Sequence, residues 1–194
     1  MQTRSLILGS TSPYRRELLS RLRIPFSVQS PEVDETPLEG ERPMQLAQRL
    51  ALAKAIAVAE KNPNAVVIGS DQVADLNGMS LGKPGNFERA MAQLRQMSGQ
   101  TMIFQTALAV VCLDSGFEQA DLASVRVQFR VLSDAEIAAY LHAEKPYDCA
   151  GSAKSEGLGI ALLESIANDD PTALVGLPLI RTCNLLRAAG IKIL

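Results

Sequence analysis

The sequence predicts an α/β or α+β protein built on a mixed β-sheet. Apolar, strand-like segments alternate with amphipathic, helix-like segments along most of the chain. In the middle of the chain, strand-like segments follow each other across short turns, as antiparallel strands do. The 194 residues are 47% hydrophobic, show no internal repeat and contain no linker-like segment. We therefore expect residues 1–194 to form a single domain.

The first third of the chain predicts the order strand, helix, strand, helix. A strand at residues 5–9 precedes a polar loop, and a helix follows over residues 13–23 with Ser12 as its N-cap and proline at its first position. A second strand at residues 26–29 leads through a proline-bounded acidic segment. An alanine-rich helix with apolar residues at helical spacing then covers residues 44–62.

The middle of the chain predicts a β-hairpin and a further helix and strand. An apolar strand at residues 65–68 ends, by this prediction, at the glycine–serine pair that follows. Asn77-Gly78 is a strong signal for a type I′ hairpin turn. A helix at residues 86–97, stopped by a serine–glycine pair, precedes another apolar strand at residues 101–113.

The last third predicts two strands and two helices. The segment 123–132 alternates between apolar and polar residues, and Ser133 with Glu136 forms a capping box that opens a helix. A short apolar strand at residues 160–163 and a helix at 178–190 complete the chain. The side chains of the alternating strand that are expected to point inward are Val125, Val127, Phe129 and Val131.

Composition excludes several classes of function. Nineteen basic residues against 21 acidic ones give a net charge of −2, which offers no basic surface for duplex nucleic acid or for a membrane. No apolar run is long enough for a membrane span, and the N-terminus does not read as a signal peptide, so we expect a cytoplasmic protein. The odd, widely spaced cysteines Cys112, Cys149 and Cys183 are expected to be reduced and buried. The single histidine, His142, is expected on a helix surface, which argues against a histidine-activated nucleophile.

Two segments in the first part of the chain are candidates for ligand binding. In GSTSPYRRELL, residues 9–19, serine hydroxyls, the amides of a helix N-terminus and an arginine would suit an anion. The alternative is an ordinary helix cap with solvated arginines. In EVDE, residues 32–35, clustered acids suit a hard divalent cation, although such a run is also typical of a solvated loop.

The third candidate combines an acid and a lysine around the predicted hairpin. A two-residue turn places Gln72 opposite Lys83, and strict alternation would put Asp71 and Lys83 on opposite faces. Gly82 and Pro84 can interrupt the ladder, which would let the two charges converge. The pair then suggests water activation beside phosphate neutralisation, with a surface ion pair as the alternative.

The fourth candidate is the glycine-rich segment GSAKSEGLG, residues 151–159. Its glycines would let the backbone approach a ligand, while Lys154 offers a cation and Glu156 an acceptor. The spacing differs from that of a Walker phosphate loop. We expect this loop and the acidic loop at residues 31–43 to form the walls of a cleft.

Taken together, these segments resemble the Maf-like family of nucleoside triphosphate pyrophosphatases. The resemblance covers nearly the whole chain, from LILGSTSPYRRELL through GSDQV and GKP to CAGSAKSEG and GLPL. It implies a long, bent mixed sheet flanked by helices, with two lobes around a central cleft, as in inosine-triphosphatase-like folds. It also implies hydrolysis of a small nucleoside triphosphate between its α- and β-phosphates, a divalent metal (Mg²⁺ or Mn²⁺) and pairing as a homodimer.

The resemblance implies roles for individual residues. Asp71 would be the proton acceptor that prepares water, and Lys54 and Lys83 would neutralise the charge that develops during cleavage. Glu35 would assist the metal or the water, and Glu35 and Asp71 are the candidate metal ligands. The positions implied to bind substrate are Ser10, Arg15 and Lys154.

Three positions differ from the pyrimidine-directed members of that family. Tyr14, Gln72 and Glu156 stand where those members carry arginine, threonine and glutamine, and the trio is similar to the subgroup that hydrolyses 7-methyl-GTP. N7 methylation gives guanine a positive charge, which an aromatic face attracts. A glutamate would accept hydrogen bonds from guanine N1–H and the N2 amino group.

Three alternatives remain beside the 7-methyl-GTP prediction. One is a dTTP/UTP pyrophosphatase of the same family, and another is an inosine-triphosphate-cleaving enzyme of similar fold. The third, from a different class, is a nucleotide-binding regulator of cell division or septum formation. Pyrophosphate release from a panel of nucleotides separates all of these.

Overall fold

A computed structural model describes residues 4–194, which form one seven-stranded mixed sheet flanked by five α-helices. The strands are β1 (Leu6–Gly9), β2 (Ser27–Gln29), β3 (Val66–Leu76), β4 (Met79–Leu81), β5 (Thr101–Cys112), β6 (Phe117–Phe129) and β7 (Leu163–Ala167). The helices are α1 (Pro13–Ser20), α2 (Pro43–Ala59), α3 (Phe87–Met97), α4 (Asp134–Glu144) and α5 (Leu179–Ala188).

The sheet order is β2-β1-β3-β5-β6-β7, and β4 pairs with β3 on the same side as β1. β2, β1 and β3 run parallel, while every other pairing is antiparallel. The prediction of a mixed sheet flanked by helices is confirmed. The parallel part comes from the strand–helix alternation. The antiparallel part contains the hairpins β3–β4 and β5–β6, together with the pairings β3–β5 and β6–β7 between strands separated by helices.

Helices cover both faces of the sheet. The apolar side chains of α2 pack on one face, against residues of β1, β3 and β5. On the other face, leucines of α1 and α5 share one core cluster with these strands, and α3 and α4 share a second cluster with β5 and β6. The molecule therefore has two apolar cores at opposite ends of this face, with β3 running past both.

Helix α2 lies unusually close to β3 at Gly69. A Cβ atom at Gly69 would stand 2.2 Å from the carbonyl oxygen of Ala51 and 2.5 Å from the amide nitrogen of Ala55. No side chain fits in that space, so glycine is what allows the helix to contact the strand backbone. This contact brings Lys54, which is buried on the side of α2 that faces the sheet, within reach of the residues that follow Gly69.

One edge of β3 is interrupted. β1 pairs with β3 as far as Gly9 and Gly69, and β4 pairs with β3 only from Ala74 onward. The edge at residues 70–73 therefore has no neighbouring strand on that side, although its other edge pairs with β5. β1 ends at one side of this gap, at Gly9, and β4 ends at the other side, at Leu81. The segments that follow the two strands therefore start from opposite sides of the gap.

Several predicted elements are corrected by the structure. The strand predicted at 65–68 continues to Leu76, because what ends at Gly69 is the pairing with β1 and not the strand itself. The strand predicted at 160–163 is a 3₁₀-helix, Leu158–Leu162, and β7 begins only at Leu163. Val131 was expected to point inward but is 82% exposed, because β6 ends at Phe129.

Local turn and cap signals are confirmed. Leu76 pairs with Met79 across a two-residue turn, and Ser133 with Glu136 forms the capping box that opens α4.

His142 is exposed, as expected, and stacks on Phe87. The three cysteines are free thiols, of which only Cys112 is fully buried. Among residues 4–194, no helix has both the length and the apolar character needed to cross a membrane.

Candidate active site

A cavity of about 520 Å³ opens at the gap in the sheet. Its walls come from the loop after β1, the acidic loop, α2, β3, the chain after β4 and the glycine-rich segment. The acidic loop contributes Glu35 and Pro37, and the glycine-rich segment contributes Ala153 and Glu156. Both loops that the sequence predicted as cleft walls therefore line the same cavity.

The gap explains how residues on opposite faces of β3 reach one cavity. Asp71 lies on the face covered by α2, whereas Gln72 lies on the other face, against residues 173–174. Because no strand covers this edge, both side chains line the cavity. Lys83 lies in the segment that follows β4 and also lines the cavity. Because the pairing of β4 with β3 ends before Lys83, that pairing does not fix Lys83 on the face opposite Asp71.

Lys54 is the centre of the charged part of the site. Its Nζ lies 2.7 Å from Oδ1 of Asp71 and 2.7 Å from Oε1 of Glu35. Lys54 is 6% exposed and Asp71 is 7% exposed, so this pair is held in a largely dry environment. The close contact of α2 with Gly69 places Lys54 above the strand that carries Asp71.

Glu35 stands at the open side of this cluster. Partial burial acts against its ionisation, but the hydrogen bond from Lys54 and the charges of Lys54, Lys83 and Arg15 lower the pKa of the Glu35 carboxyl below its ordinary value. Arg49 of α2 fixes the acidic loop that carries it, since Arg49 donates to the carbonyl oxygen of Thr36 at 3.0 Å.

The two carboxylates fit a hard divalent cation that binds mainly through substrate. Lys54 occupies one oxygen of Asp71 and one of Glu35, which leaves a second oxygen on each. Within residues 4–194 there is no group of three or more His, Cys, Asp or Glu side chains that could hold a metal ion. Mg²⁺ is commonly bound by one or two carboxylates together with phosphates and waters, and this donor set matches that pattern.

The start of α1 forms the side of the cavity suited to an anion. Ser10 Oγ accepts from the Ser12 amide at 3.1 Å, and Ser12 Oγ caps the helix by accepting from the Arg15 amide at 3.4 Å. Arg15 Nε donates to the carbonyl oxygen of Gly176 at 2.8 Å, which orients the guanidinium. Burial lowers the pKa of Arg15, against the opposing charges of Asp71 and Glu35.

Arg15 keeps donors for a ligand. In the part of the chain that the structure describes, its guanidinium makes only the Nε hydrogen bond, so both terminal nitrogens remain for an anion. Lys83 likewise has no ion pair within residues 4–194 and is exposed at the cavity. The cavity thus offers two cations that the fold itself does not use.

Tyr14 presents its ring beside the cavity under the charge of Lys154. The Lys154 Nζ lies 5.7 Å from the centre of the Tyr14 ring and 3.0 Å from Oε1 of Glu144. Burial, with the neighbouring Cys149 and Asp148, raises the pKa of Tyr14 to about 12. Lys154 does not line the cavity itself, and its nearest partners are Glu144 and Tyr14.

Gln72 is held by the backbone of a neighbouring segment. Its Nε2 lies 2.9 Å from Oγ1 of Thr106, 3.1 Å from the carbonyl oxygen of Ala173 and 3.0 Å from that of Leu174. Carbonyl oxygens only accept, so the amide nitrogen must point toward them. The Oε1 atom of Gln72 is therefore the one left for a ligand.

Glu156 lines the cavity at the glycine-rich segment and is exposed. The segment is fixed from α4, where Glu144 Oε2 accepts from the Leu158 amide at 2.8 Å and Tyr140 Oη accepts from the Lys154 amide at 3.1 Å. A Cβ at Gly157 would stand 2.7 Å from Glu144, so this glycine allows the loop to approach the helix. Glu156 is thus presented by an ordered loop.

The structure adds site residues that the sequence reasoning did not identify. Asp148 and Cys149 line the cavity beside Tyr14, whose Oη lies 3.5 Å from Oδ2 of Asp148. The backbone of Leu174 and Gly176 forms another part of the wall. The GLPL motif was the one sequence signal near this wall, but nothing in its spacing indicated which carbonyl oxygens would face the site.

Comparison with known proteins places the chain in a family. The family model described as Maf-like protein matches residues 5–189. A 7-methyl-GTP pyrophosphatase of Polaromonas sp. (strain JS666) is 75% identical over 191 residues, which cover 98% of this chain and 87% of the relative. The protein of the same name from Albidiferax ferrireducens is 72% identical over 98% of this chain and 96% of the relative. The one from Cupriavidus metallidurans is 57% identical over 96% of this chain and 94% of the relative. The chain belongs to the Maf family.

Proposed function

We propose that the protein is a nucleoside triphosphate pyrophosphatase that hydrolyses 7-methyl-GTP to 7-methyl-GMP and diphosphate. The observation that carries the proposal is that one cavity joins the Lys54-centred carboxylates to the side chains that would select the base, Tyr14, Gln72 and Glu156. The names of the similar proteins support the same activity.

In this proposal Asp71 prepares the attacking water. Lys54 binds Oδ1 and so fixes the carboxylate, and the second oxygen is left to orient the water and accept its proton. The water attacks phosphorus, the bond to the leaving phosphate oxygen breaks, and diphosphate departs. No covalent enzyme intermediate is required, because the work consists of positioning and charge stabilisation.

The phosphates are bound by the side of the cavity at the start of α1. Arg15 offers two unused terminal nitrogens, and Ser10 offers its hydroxyl at the end of β1. Lys83 adds a point charge on a flexible aliphatic stem from the opposite side of the gap. Ser10 and Arg15 thus hold the phosphates, while Lys83 and Lys54 neutralise the charge that builds up on the leaving diphosphate.

The proposal includes Mg²⁺ or Mn²⁺, for which Glu35 offers the oxygen that Lys54 does not occupy. Asp71 is the other candidate ligand, because its free oxygen has two lone pairs, of which one would face the ion and the other the water. When bound, such an ion supplies Lewis-acid neutralisation of the phosphate oxygens. Glu35 lies at the exposed side of the cluster and enters this role without leaving its contact with Lys54.

The base is selected by charge and by hydrogen-bond direction. Glu156 is acceptor-only when ionised and matches the N1–H and N2 amino donors of guanine. Gln72 offers Oε1 because its amide nitrogen is already used. The ring of Tyr14 and the charge of Glu156 favour a cationic, N7-methylated base. Uracil would turn carbonyl oxygens toward these acceptors and is disfavoured.

The proposed setting is the cytoplasm, where the three free thiols stay reduced. We also propose a homodimer, which sedimentation of the purified protein at several concentrations would test.

The deciding experiment is a panel of nucleotides assayed for pyrophosphate with Mg²⁺ and with Mn²⁺. The panel contains 7-methyl-GTP, GTP, UTP, dTTP and ITP. The proposal expects the highest kcat/KM on 7-methyl-GTP. A preference for UTP or dTTP would overturn the substrate and keep the enzyme class, whereas nucleotide binding without pyrophosphate release would favour the regulator.

A further inference from the structure

A fully buried acid, Asp170, lies behind the cavity and has no part in the chemistry described above. It is 0% exposed and begins the segment of residues 170–178 that joins β7 to α5, here called the bracket segment. Three residues further along, at Ala173, the segment starts to contact the cavity side chains. A buried carboxylate is costly unless its oxygens are well satisfied, so its partners indicate what it does.

Asp170 ties the bracket segment to the first turn of α5. Its Oδ2 accepts from the backbone amide of Arg181 at 3.1 Å, and the Arg181 guanidinium lies 4.0 Å from the same oxygen. An anion at a helix N-terminus is favoured by the helix dipole, and the guanidinium adds a nearby positive charge. These contacts compensate the burial of the carboxylate.

Thr172 completes the anchor. Its Oγ1 lies 3.2 Å from Oδ1 of Asp170 and 2.8 Å from the carbonyl oxygen of Leu177, and it accepts from the Leu179 amide at 2.8 Å. The acid and the hydroxyl together therefore hold the two ends of the bracket segment close to each other. The residues between them have little freedom to shift.

The carbonyl oxygens of the anchored residues hold two recognition side chains. Ala173 and Leu174 accept from Nε2 of Gln72, at 3.1 and 3.0 Å. Gly176 accepts from Nε of Arg15 at 2.8 Å. Gly176 has φ of +124°, a backbone conformation that strains any residue with a side chain.

The Lys54–Asp71 pair does not contact the bracket segment directly, although the neighbouring Ser70 donates to the carbonyl oxygen of Gly176 at 3.2 Å. Within residues 4–194, Lys54 and Asp71 make no hydrogen bond or ion pair with residues 170–178. Lys54 is instead positioned by α2 on the opposite face of the sheet. Lys54 is thus positioned by α2, whereas Gln72 and Arg15 are positioned by the bracket segment.

We propose that Asp170 is a positioning residue for substrate recognition, which holds the bracket segment so that its carbonyl oxygens orient Gln72 and Arg15. The inference rests on the proposed function, because it assigns these two side chains to the base and the phosphates. It predicts that loss of the acid weakens binding and selectivity more than turnover.

The test compares Asp170→Ala with Asp170→Asn. Asparagine can accept from the Arg181 amide with its oxygen and donate to the Thr172 hydroxyl with its nitrogen, so it can retain the anchor without the charge. For Asp170→Ala we expect KM for 7-methyl-GTP to rise about tenfold and the preference over UTP to fall by a similar factor. We expect kcat to stay within about threefold of the wild-type value, and Asp170→Asn to recover most of the loss.

A stability control separates positioning from general destabilisation. Val111→Ala removes buried apolar contacts at the far end of β5, away from the cavity. It should lower the melting temperature without changing KM or the substrate preference. If Asp170→Ala does not fold, Thr172→Val removes the second anchor with little change of shape and should shift KM and preference in the same direction.

The outcomes distinguish this inference from the proposed function. Wild-type KM and preference in a folded Asp170→Ala, or a change equal to that of Val111→Ala, would overturn the inference. If the wild-type protein releases no pyrophosphate from any nucleotide, the proposed function fails. Calorimetric binding of 7-methyl-GTP to wild type and to the two Asp170 variants would then still decide whether Asp170 controls recognition.

Discussion

Lys54 Nζ donates a 2.7 Å hydrogen bond to Oδ1 of Asp71, between two side chains that are almost fully buried. The residues are 17 positions apart and belong to α2 and β3. In such a setting neither charge is well hydrated, so each depends on the other for its stabilisation. The same ammonium also binds Glu35, which couples the buried pair to the open side of the cavity.

Asp71→Asn should abolish pyrophosphate release while the protein stays folded. The amide keeps the shape of the side chain and can still accept from Lys54, but it cannot take a proton from water. Loss of a general base commonly costs about 10²- to 10⁴-fold in rate. Asp75→Asn, on the same strand but outside the cavity, is the matched control and should keep wild-type turnover. Near-normal activity in Asp71→Asn would remove the residue from this role.

Lys54→Met should destabilise the fold as well as the activity. It leaves the Asp71 carboxylate buried without its cation, which typically costs on the order of 3 kcal/mol in the free energy of unfolding. Urea denaturation measures this change, and adding Asp71→Asn should restore part of it. Lys61→Met removes a cation from an exposed pair with Glu32 and should leave the stability unchanged. Equal stability of the two lysine variants would contradict the account of the buried pair.

Gly69→Ala should separate α2 from β3. The added methyl group would stand 2.2 Å from the backbone oxygen of Ala51, which the helix can relieve only by moving. Overpacking of this kind costs about 1–3 kcal/mol or more and should also weaken turnover by displacing Lys54. Gly82→Ala meets no atom within 4 Å and serves as the control for stability. A wild-type melting temperature for Gly69→Ala would show that the close contact does not constrain the helix.

Glu156→Gln should reduce the preference for 7-methyl-GTP. Glutamine removes the negative charge that favours a cationic base and adds a donor that suits the carbonyl oxygens of pyrimidines. We expect the ratio of kcat/KM for 7-methyl-GTP over UTP to fall about tenfold. Glu164→Gln, exposed on β7, is the control. An unchanged ratio would exclude Glu156 from base selection.

Cys149 should resist alkylation although it lines the cavity. Burial, together with the neighbouring carboxylate of Asp148, raises the pKa of the Cys149 thiol to about 12. The thiolate reacts and the thiol does not, so at pH 8.5 the reactive fraction should be about three orders of magnitude lower than for an ordinary cysteine. The labelling rate should rise steadily between pH 8 and pH 11, since deprotonation lies above that range. Asp148→Asn should speed labelling, and rapid reaction of wild-type Cys149 at pH 8 would refute this prediction.

Much of the fold could be predicted because its signals are local. The Asn77-Gly78 turn, the Ser133 capping box and the proline at the start of α1 each act over a few residues, and the structure confirms them. The failures occurred where a distant partner decides the outcome. Strand β3 continues past Gly69 because β5 pairs with it there, and Val131 is exposed because the strand ends two residues before it.

The candidate site was predictable as a set of residue types and not as an arrangement. Glu35, Asp71, Lys83 and Glu156 were identified from their motifs, and Lys54 and Tyr14 only through the family resemblance, whereas Asp148 was not identified. The backbone carbonyl oxygens of residues 173–176 gave no such signal, because a carbonyl is the same in every residue. Their importance depends on which side chains reach them.

By itself the sequence determined which chemical groups are present and how the local turns and helix starts form. Tertiary structure alone decided that β1 and β4 stop short of each other along β3, so that Asp71 and Gln72 from opposite faces meet in one cavity. The reason is physical: a side-chain pattern depends on neighbours along the chain, whereas an open sheet edge depends on where separate strands stop pairing.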